Sequence, residues 1–236
     1  MKIKLTKKLI NPIIIEGFPG FGLVGTIATE YLISHLQTEL VGKIWFESQV
    51  PSLAIHQGKI IHPIELHYNK KYNLLIVHTL NIQGEEWKVA DIILDIAKVT
   101  KSREIISLEG VGSPMQKPTD SNRIFYYTNK PLLEKKLTKT NTEKLNEGII
   151  MGVTSALLMK SEVPVSAIFA ETATGLPDSK AAAEVIKVLD QYLGLKIDVG
   201  PLMETAQKVE EKIKELISKS QGAHKERKEK FINYVG

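Results

Sequence analysis

Gly20-Phe21-Gly22-Leu23-Val24-Gly25 has the G-x-G-x-x-G spacing that, between a strand and a helix, turns backbone N–H groups toward a pyrophosphate. Glu47 stands roughly 20 residues further on, where an acid can hold a ribose hydroxyl. The competing reading is a tight packing turn. Pro19 and the phenylalanines at 18 and 21 make the loop bulky where a diphosphate would sit. Thr26 follows Gly25 directly, so the lysine of a P-loop is missing.

Other chemistry is sparser. There is no cysteine, which removes disulfides, thiolate nucleophiles and thiolate zinc sites together and fits an intracellular, cytoplasmic setting. His62 and His67, five apart on an extended segment, point to opposite faces, so no metal site is expected. Gly110-Val111-Gly112-Ser113-Pro114 lacks the G-x-S-x-G elbow of a serine hydrolase and reads as a glycine turn at a strand's end. Glu171 and Asp178 flank another strand-end turn and read as a turn acid and a helix cap, with an acid–base pair as the alternative. Glu85-Glu86-Trp87 reads as an acidic first helical turn with a packed Trp.

The elements that would position these residues follow from periodicity. Met1 to Leu9 reads as a strand or arm, and Ile13 to Glu16 as a buried strand. Thr26 to Leu36 has helical spacing at Ile27, Tyr31, Leu32 and Leu36. From Leu40 to Leu80 the pattern is almost all strand, which breaks the strand–helix alternation a dinucleotide-binding half requires. A helix over Glu85 to Lys98 and a strand over Glu104 to Glu109 come next. A short strand over Arg123 to Tyr127 and a helix near Pro131 follow. Gly148 to Gly152 reads as a strand into a turn, Thr154 to Met159 as a helix and Val165 to Ala170 as a buried strand. Ser179 to Leu193 is a helix capped by Asp178 or Ser179 and ended by Gly194. From Pro201 a long helix carries Leu202, Ala206, Val209, Ile213, Leu216 and Ile217 on one face.

With 236 residues, 43% of them hydrophobic, the chain can bury a full core without a metal or disulfide staple. Its net charge of +4 comes mostly from Lys, whereas nucleic-acid readers favour clustered Arg, so nucleic acid is not the expected partner. No apolar run reaches the ~18 residues of a membrane span, and the first nine residues lack an export signal's apolar stretch.

Taken together, several turns resemble the archaeal form of the proteasome assembly chaperone family. They are Gly17-Phe18-Pro19-Gly20-Phe21-Gly22-Leu23-Val24-Gly25 with its helix, Glu109-Gly110-Val111-Gly112, and Phe169-Ala170-Glu171 through Pro177-Asp178 with Ala181-Ala182. Leu193-Gly194-Leu195, Asp198 and the final helix extend the likeness to about Ser220. It implies a three-layer α/β/α fold with a mixed sheet, similar to purine nucleoside phosphorylases but without their catalytic set. It also implies an oligomeric, ATP-independent chaperone that binds proteasome subunits or a second chaperone. Gly17, Pro19, Gly20, Gly22, Gly25, Gly110, Gly112, Glu171 and Asp178 then mark structural turns, with no catalytic residue and no cofactor.

Some members of that family end in a hydrophobic-Tyr-any tripeptide that docks on the proteasome α-ring. Here Tyr234 is followed by Val235 and Gly236, so the terminal carboxylate is displaced by one residue. Phe231, Ile232, Tyr234 and Val235 are the expected partner-binding residues. The expected organisation is an α/β core over 1–200, a C-terminal helix over 201–221, and a charged tail with an apolar end over 222–236. A nucleoside- or nucleotide-binding enzyme or sensor, using Gly20, Gly22, Gly25 and Glu47, is the alternative.

Overall fold

The structure, a computed structural model, describes residues 5–46, 54–56, 58–80, 84–112, 123–172 and 177–204. Glu47, Ser113 and the tail residues Phe231, Ile232, Tyr234 and Val235 therefore lie outside the described residues, as does most of the expected C-terminal helix beyond its first turn at 200–204.

Of the expected first strand or arm, the described residues 5–9 form an arm rather than a strand. Thr6 gives both its N–H and its hydroxyl to the Val41 carbonyl. β1 (Ile13–Gly17) leads through a 3-10 turn at Phe21–Leu23 into α1 (Val24–His35). β2 (Glu39–Ile44) is followed by a separate two-stranded ribbon of β3 (Ala54–His56) and β4 (Lys59–Ile61), and then by β5 (Ile64–Asn69) and β6 (Leu74–Thr79). After these come α2 (Glu86–Thr100), β7 (Glu104–Gly112), β8 (Ile124–Thr128), α3 (Pro131–Leu137) and β9 (Glu143–Lys144). α4 (Gly152–Lys160), β10 (Val165–Thr172) and α5 (Ser179–Leu193) complete the labelled elements.

Eight strands form one mixed sheet in the order β2-β5-β6-β1-β7-β10-β8-β9. The four central strands, β6, β1, β7 and β10, are parallel, and β5 and β8 flank them antiparallel. Parallel strands are buried on both faces, which is why β6 reads Leu-Leu-Ile-Val without polar alternation. One face packs against α1 and α5 through Ile15, Ile76, Ile106 and Ile168 with Ile27, Val185 and Leu189. The other packs against α2 and α4 through Ile14, Val77 and Ile105 with Val89, Ile93, Val153 and Leu157. Each such side chain contributes roughly 1.5–3 kcal/mol by leaving water, so the two faces hold a three-layer α/β/α sandwich together.

Two expected turns are strands. β7 runs on through Gly110, Val111 and Gly112, and β10 through Glu171 and Thr172, because the two pair in parallel register up to Thr172 opposite Gly112. The expected strand at Gly148 to Gly152 is not formed; Gly152, with φ +74°, instead opens α4.

α5 is delimited by local chemistry. The Asp178 carboxylate accepts the Ala181 N–H at 2.9 Å, and Gly194, left-handed at φ +69°, ends the helix. Asp178 Oδ2 also accepts the Thr172 hydroxyl at 3.0 Å, tying the helix to the end of β10. Replacing Asp178 by Ala should cost about 1–2 kcal/mol in urea unfolding. Asn, which keeps a side-chain oxygen, should lose less than half of that; equal losses would show that the cap is not the source.

Candidate functional site

The glycine-rich turn lies at the carboxyl ends of the parallel strands, where open α/β sheets keep their ligands. In this chain its backbone is packed against the sheet. A Cβ on Gly17 would sit 2.2 Å from the Gly25 carbonyl oxygen, and one on Gly25 would sit 2.2 Å from that of Leu108. A Cβ on Gly110 would sit 2.1 Å from the Phe21 carbonyl oxygen. Helix start, β1 and β7 thus touch backbone to backbone. Gly22 is left-handed at φ +61° and faces Thr172 and Asp178, and its carbonyl accepts the Asp178 N–H at 2.8 Å. Gly20 has open space, with only the Phe18 carbonyl 3.9 Å from a Cβ placed there, and the Phe21 ring lies over Gly112. A diphosphate drawn to Gly22 would meet the Asp178 carboxylate, an electrostatic mismatch.

Beneath the turn, on the face covered by α2 and α4, lies a polar cluster that sequence reading did not assemble. Glu16 of β1, Ser107 of β7 and Thr154 of α4 are fully buried, and Glu109 of β7 is partly buried beside them. Glu16 and Glu109 share this face with Ile14 and Ile105 because side chains alternate along a strand. The Thr154 hydroxyl donates to Glu109 Oε1 at 2.6 Å, lies 3.4 Å from Glu16 Oε1, and meets the Ser107 hydroxyl. Glu16 Oε2 has no hydrogen-bond partner. Burial, and then the neighbouring Glu109 charge, hold the Glu16 carboxyl well above the usual carboxylate range. Burial pushes Glu109 up to about 7 against the opposing Thr154 hydrogen bond.

A second acid behaves oppositely because it has partners. Burial opposes ionisation of Glu65 on β5, but His67 Nε2 at 3.0 Å and the His62 N–H at 3.1 Å outweigh it, and its pKa is lowered. His78 of β6 touches Thr29 Oγ1 at 3.0 Å and Glu30 Oε2 at 3.3 Å, both on α1. His62 and His67 thus meet at Glu65 while His78 turns to α1, and among the described residues no group of three or more His, Asp or Glu is placed to hold a metal ion.

The remaining sequence candidates fall into modest roles. Asp178 is the α5 cap, and Glu171 occupies β10 opposite Val111. Trp87 is not packed into the core as expected: it is 53% exposed, with the Lys160 ammonium 5.0 Å from its ring centre. The carboxyl cluster had one sequence signal, an acid closing an all-aliphatic run at Glu16, but its partners come from distant segments.

Two predictions follow from these contacts. Gly25→Ala and Gly110→Ala force backbone apart and should destabilise by more than ~3 kcal/mol, whereas Gly20→Ala should stay within about 1 kcal/mol in thermal or urea unfolding. A phosphate-binding loop would not show this order, because it needs its first glycine for the tight turn.

The second concerns pH. Because the folded Glu109 value of about 7 exceeds the ordinary 4.5, the folded chain keeps a proton there that the unfolded chain releases. Its stabilising contribution is complete below about 4.5 and lost as pH rises through about 7. Glu109→Gln should therefore gain on the wild type by on the order of 2 kcal/mol between pH 5 and pH 8. A difference between the two proteins that stays constant with pH would refute the assignment.

Comparison with known proteins places this geometry. PbaA of Pyrococcus furiosus, described as an archaeal homolog of proteasome-assembly chaperone, superposes with a TM-score of 0.82 at 27% identity, over 94% of this chain and 100% of that one. PbaB of the same organism, described as an archaeal proteasome activator, shares the fold at a TM-score of 0.74 and 24% identity, over 91% and 97% of the two chains. The uncharacterized protein MJ0106 of Methanocaldococcus jannaschii is 29% identical over 213 residues, 87% of this chain and 85% of that protein. The PAC2 family model matches residues 14–217, a span that takes in the interlocked glycines, the carboxyl cluster and both helix layers, and the chain accordingly belongs to the PAC2 family.

Proposed function

We propose that this chain is a non-enzymatic protein-binding chaperone that self-associates and presents its C-terminal helix and tail to a protein partner such as a proteasome subunit or a second chaperone. The observation that carries the reading is the packing at the strand ends. Among the described residues the chain's own backbone packs closely at the strand ends, with the Phe21 carbonyl against Gly110 and Gly25 against the Leu108 carbonyl, and no catalytic set is gathered there. The likeness to PbaA, a homolog of proteasome-assembly chaperone, supplies the class of partner. Among the described residues no helix is long and apolar enough to cross a membrane, which accords with a cytoplasmic partner.

The sequence supplies the candidate anchor. Phe231, Ile232, Tyr234 and Val235 follow a Lys- and Glu-rich stretch and stand out from it as apolar side chains. A few buried aromatic and aliphatic anchors supply most of an interface's energy. Several copies on one oligomer would raise a weak tail's avidity by a factor of 10²–10⁴.

The test is capture of purified proteasome subunits by the full chain and by a chain ending at residue 221, with native mass measurement of both. Truncation should leave the oligomer intact and weaken apparent binding by about 100-fold or more. Equal capture by both would remove the tail from the mechanism. Deleting Gly236 makes Tyr234 penultimate, and tighter binding is expected if the partner reads the terminal carboxylate.

A further inference from the structure

The carboxyl cluster sits under a short helix with few terminal ties. α4 is nine residues long, opens on Gly152 at φ +74°, and has no side-chain cap at its N-terminus. It is held to the sheet and α2 by Val153, Ala156 and Leu157, and by the Thr154 hydroxyl between Glu16 and Glu109. Lys160 at its far end pairs with Asp91 of α2 at 2.6 Å.

Proton counting limits the charge this arrangement can hold. Thr154 and Ser107 bring one hydroxyl proton each. Thr154 gives its proton to Glu109 at 2.6 Å with a longer approach to Glu16 at 3.4 Å, and Ser107, which meets the Thr154 hydroxyl, also reaches Glu16, so two hydroxyl protons face four carboxyl oxygens. Glu16 keeps one oxygen with no partner. Among the described residues, no Lys, Arg or His pairs with either acid. Glu171 on β10 acts on Arg123, Asp91 is taken by Lys160, and Glu85 pairs with Lys88 at the start of α2 at 2.6 Å. The charge that acts on Glu16 is that of Glu109. Two ionised carboxylates here, Glu16 fully buried and Glu109 partly, would have no counter-ion among the described residues, and protonation is the inexpensive remedy.

We propose that α4 is a pH-sensitive latch, closed on the strand ends while the Glu16–Thr154–Glu109 chain holds neutral carboxyls, and released when they ionise. Release hydrates both acids and bares Val153, Ala156 and Leu157 together with the α2 and β10 surfaces they cover. The inference stands apart from the proposed chaperone role, since it concerns this chain's own opening.

Hydrogen exchange of the full-length protein, followed by mass spectrometry from pH 5 to pH 8 and corrected for the intrinsic exchange rate, tests it. Opening of peptides within 152–160 should rise about tenfold per pH unit for each proton released, between the open-state and closed-state pKa values. Peptides within 104–108 of β7 should not follow. The Glu16→Gln/Glu109→Gln double variant should show a flat profile. If that variant does not fold, Glu109→Gln alone should lose one proton's worth of slope. A pH-independent wild type, an unchanged slope in the variants, or the same slope in β7 would each overturn the proposal.

Discussion

The contact on which the rest of the structure depends is made by backbone rather than side chains. α1 starts so close to β1 and β7 that Gly17, Gly25 and Gly110 have no room for a Cβ, each meeting a carbonyl oxygen at about van der Waals overlap. Three such positions, one each on β1, α1 and β7, fix where the helix enters and how deeply it lies on the sheet. From there Ile27, Tyr31 and Leu32 reach Ile15, Ile76 and Ile106, and α5 can pack alongside α1 with small residues, Ala181 to Ala183. The chain must also pass through left-handed backbone at Gly22 and again at Leu23, φ +49°. A left-handed leucine costs roughly 1–2 kcal/mol, so its presence shows how firmly the surrounding packing sets the path.

The same closeness decides what the strand ends can do. In a dinucleotide site the turn stands away from the sheet far enough for phosphate oxygens to face its N–H groups. Here the Phe21 carbonyl turns onto Gly110, the Gly22 carbonyl takes the Asp178 N–H, and the Gly20 carbonyl takes the Leu23 N–H at 3.1 Å. Carbonyls of the turn are thus directed at other parts of the chain. A motif of the same spelling serves close packing of helix on sheet in this chain.

Much of the fold was legible because its signals are local. The aliphatic runs of β1, β6 and β10, the helical faces of α2 and α5, the Asp178 cap and Gly194 stop depend on neighbours within one or two turns. What was not legible depends on pairing. Gly110 to Gly112 resembles a turn until β10 is laid beside it, when each residue acquires a partner up to Thr172. β9 is two residues long and exists only because β8 offers an edge. The Gly148 to Met151 stretch has strand-like composition but no strand partner, and Ile149 stays 87% exposed. The carboxyl cluster was hidden for the same reason, since it joins residues 16, 107, 109 and 154.

That cluster sets two opposing effects against each other, and magnitude settles which wins. Thr154 lies in the first turn of α4, whose N-terminal dipole favours a negative charge nearby by about 0.3–1 kcal/mol, up to ~2 in the best buried geometries. Removing a carboxylate from water without a counter-ion costs several kcal/mol. At Glu65 the same desolvation is overcome because His67 and the His62 N–H both reach the carboxylate. At Glu16 one oxygen has nothing to accept from, so desolvation prevails and the proton stays. A neutral glutamic acid among aliphatic strands costs far less than an ionised one. This chain's three-layer core therefore favours the neutral form of Glu16, over which α4 is packed through Val153, Thr154 and Leu157.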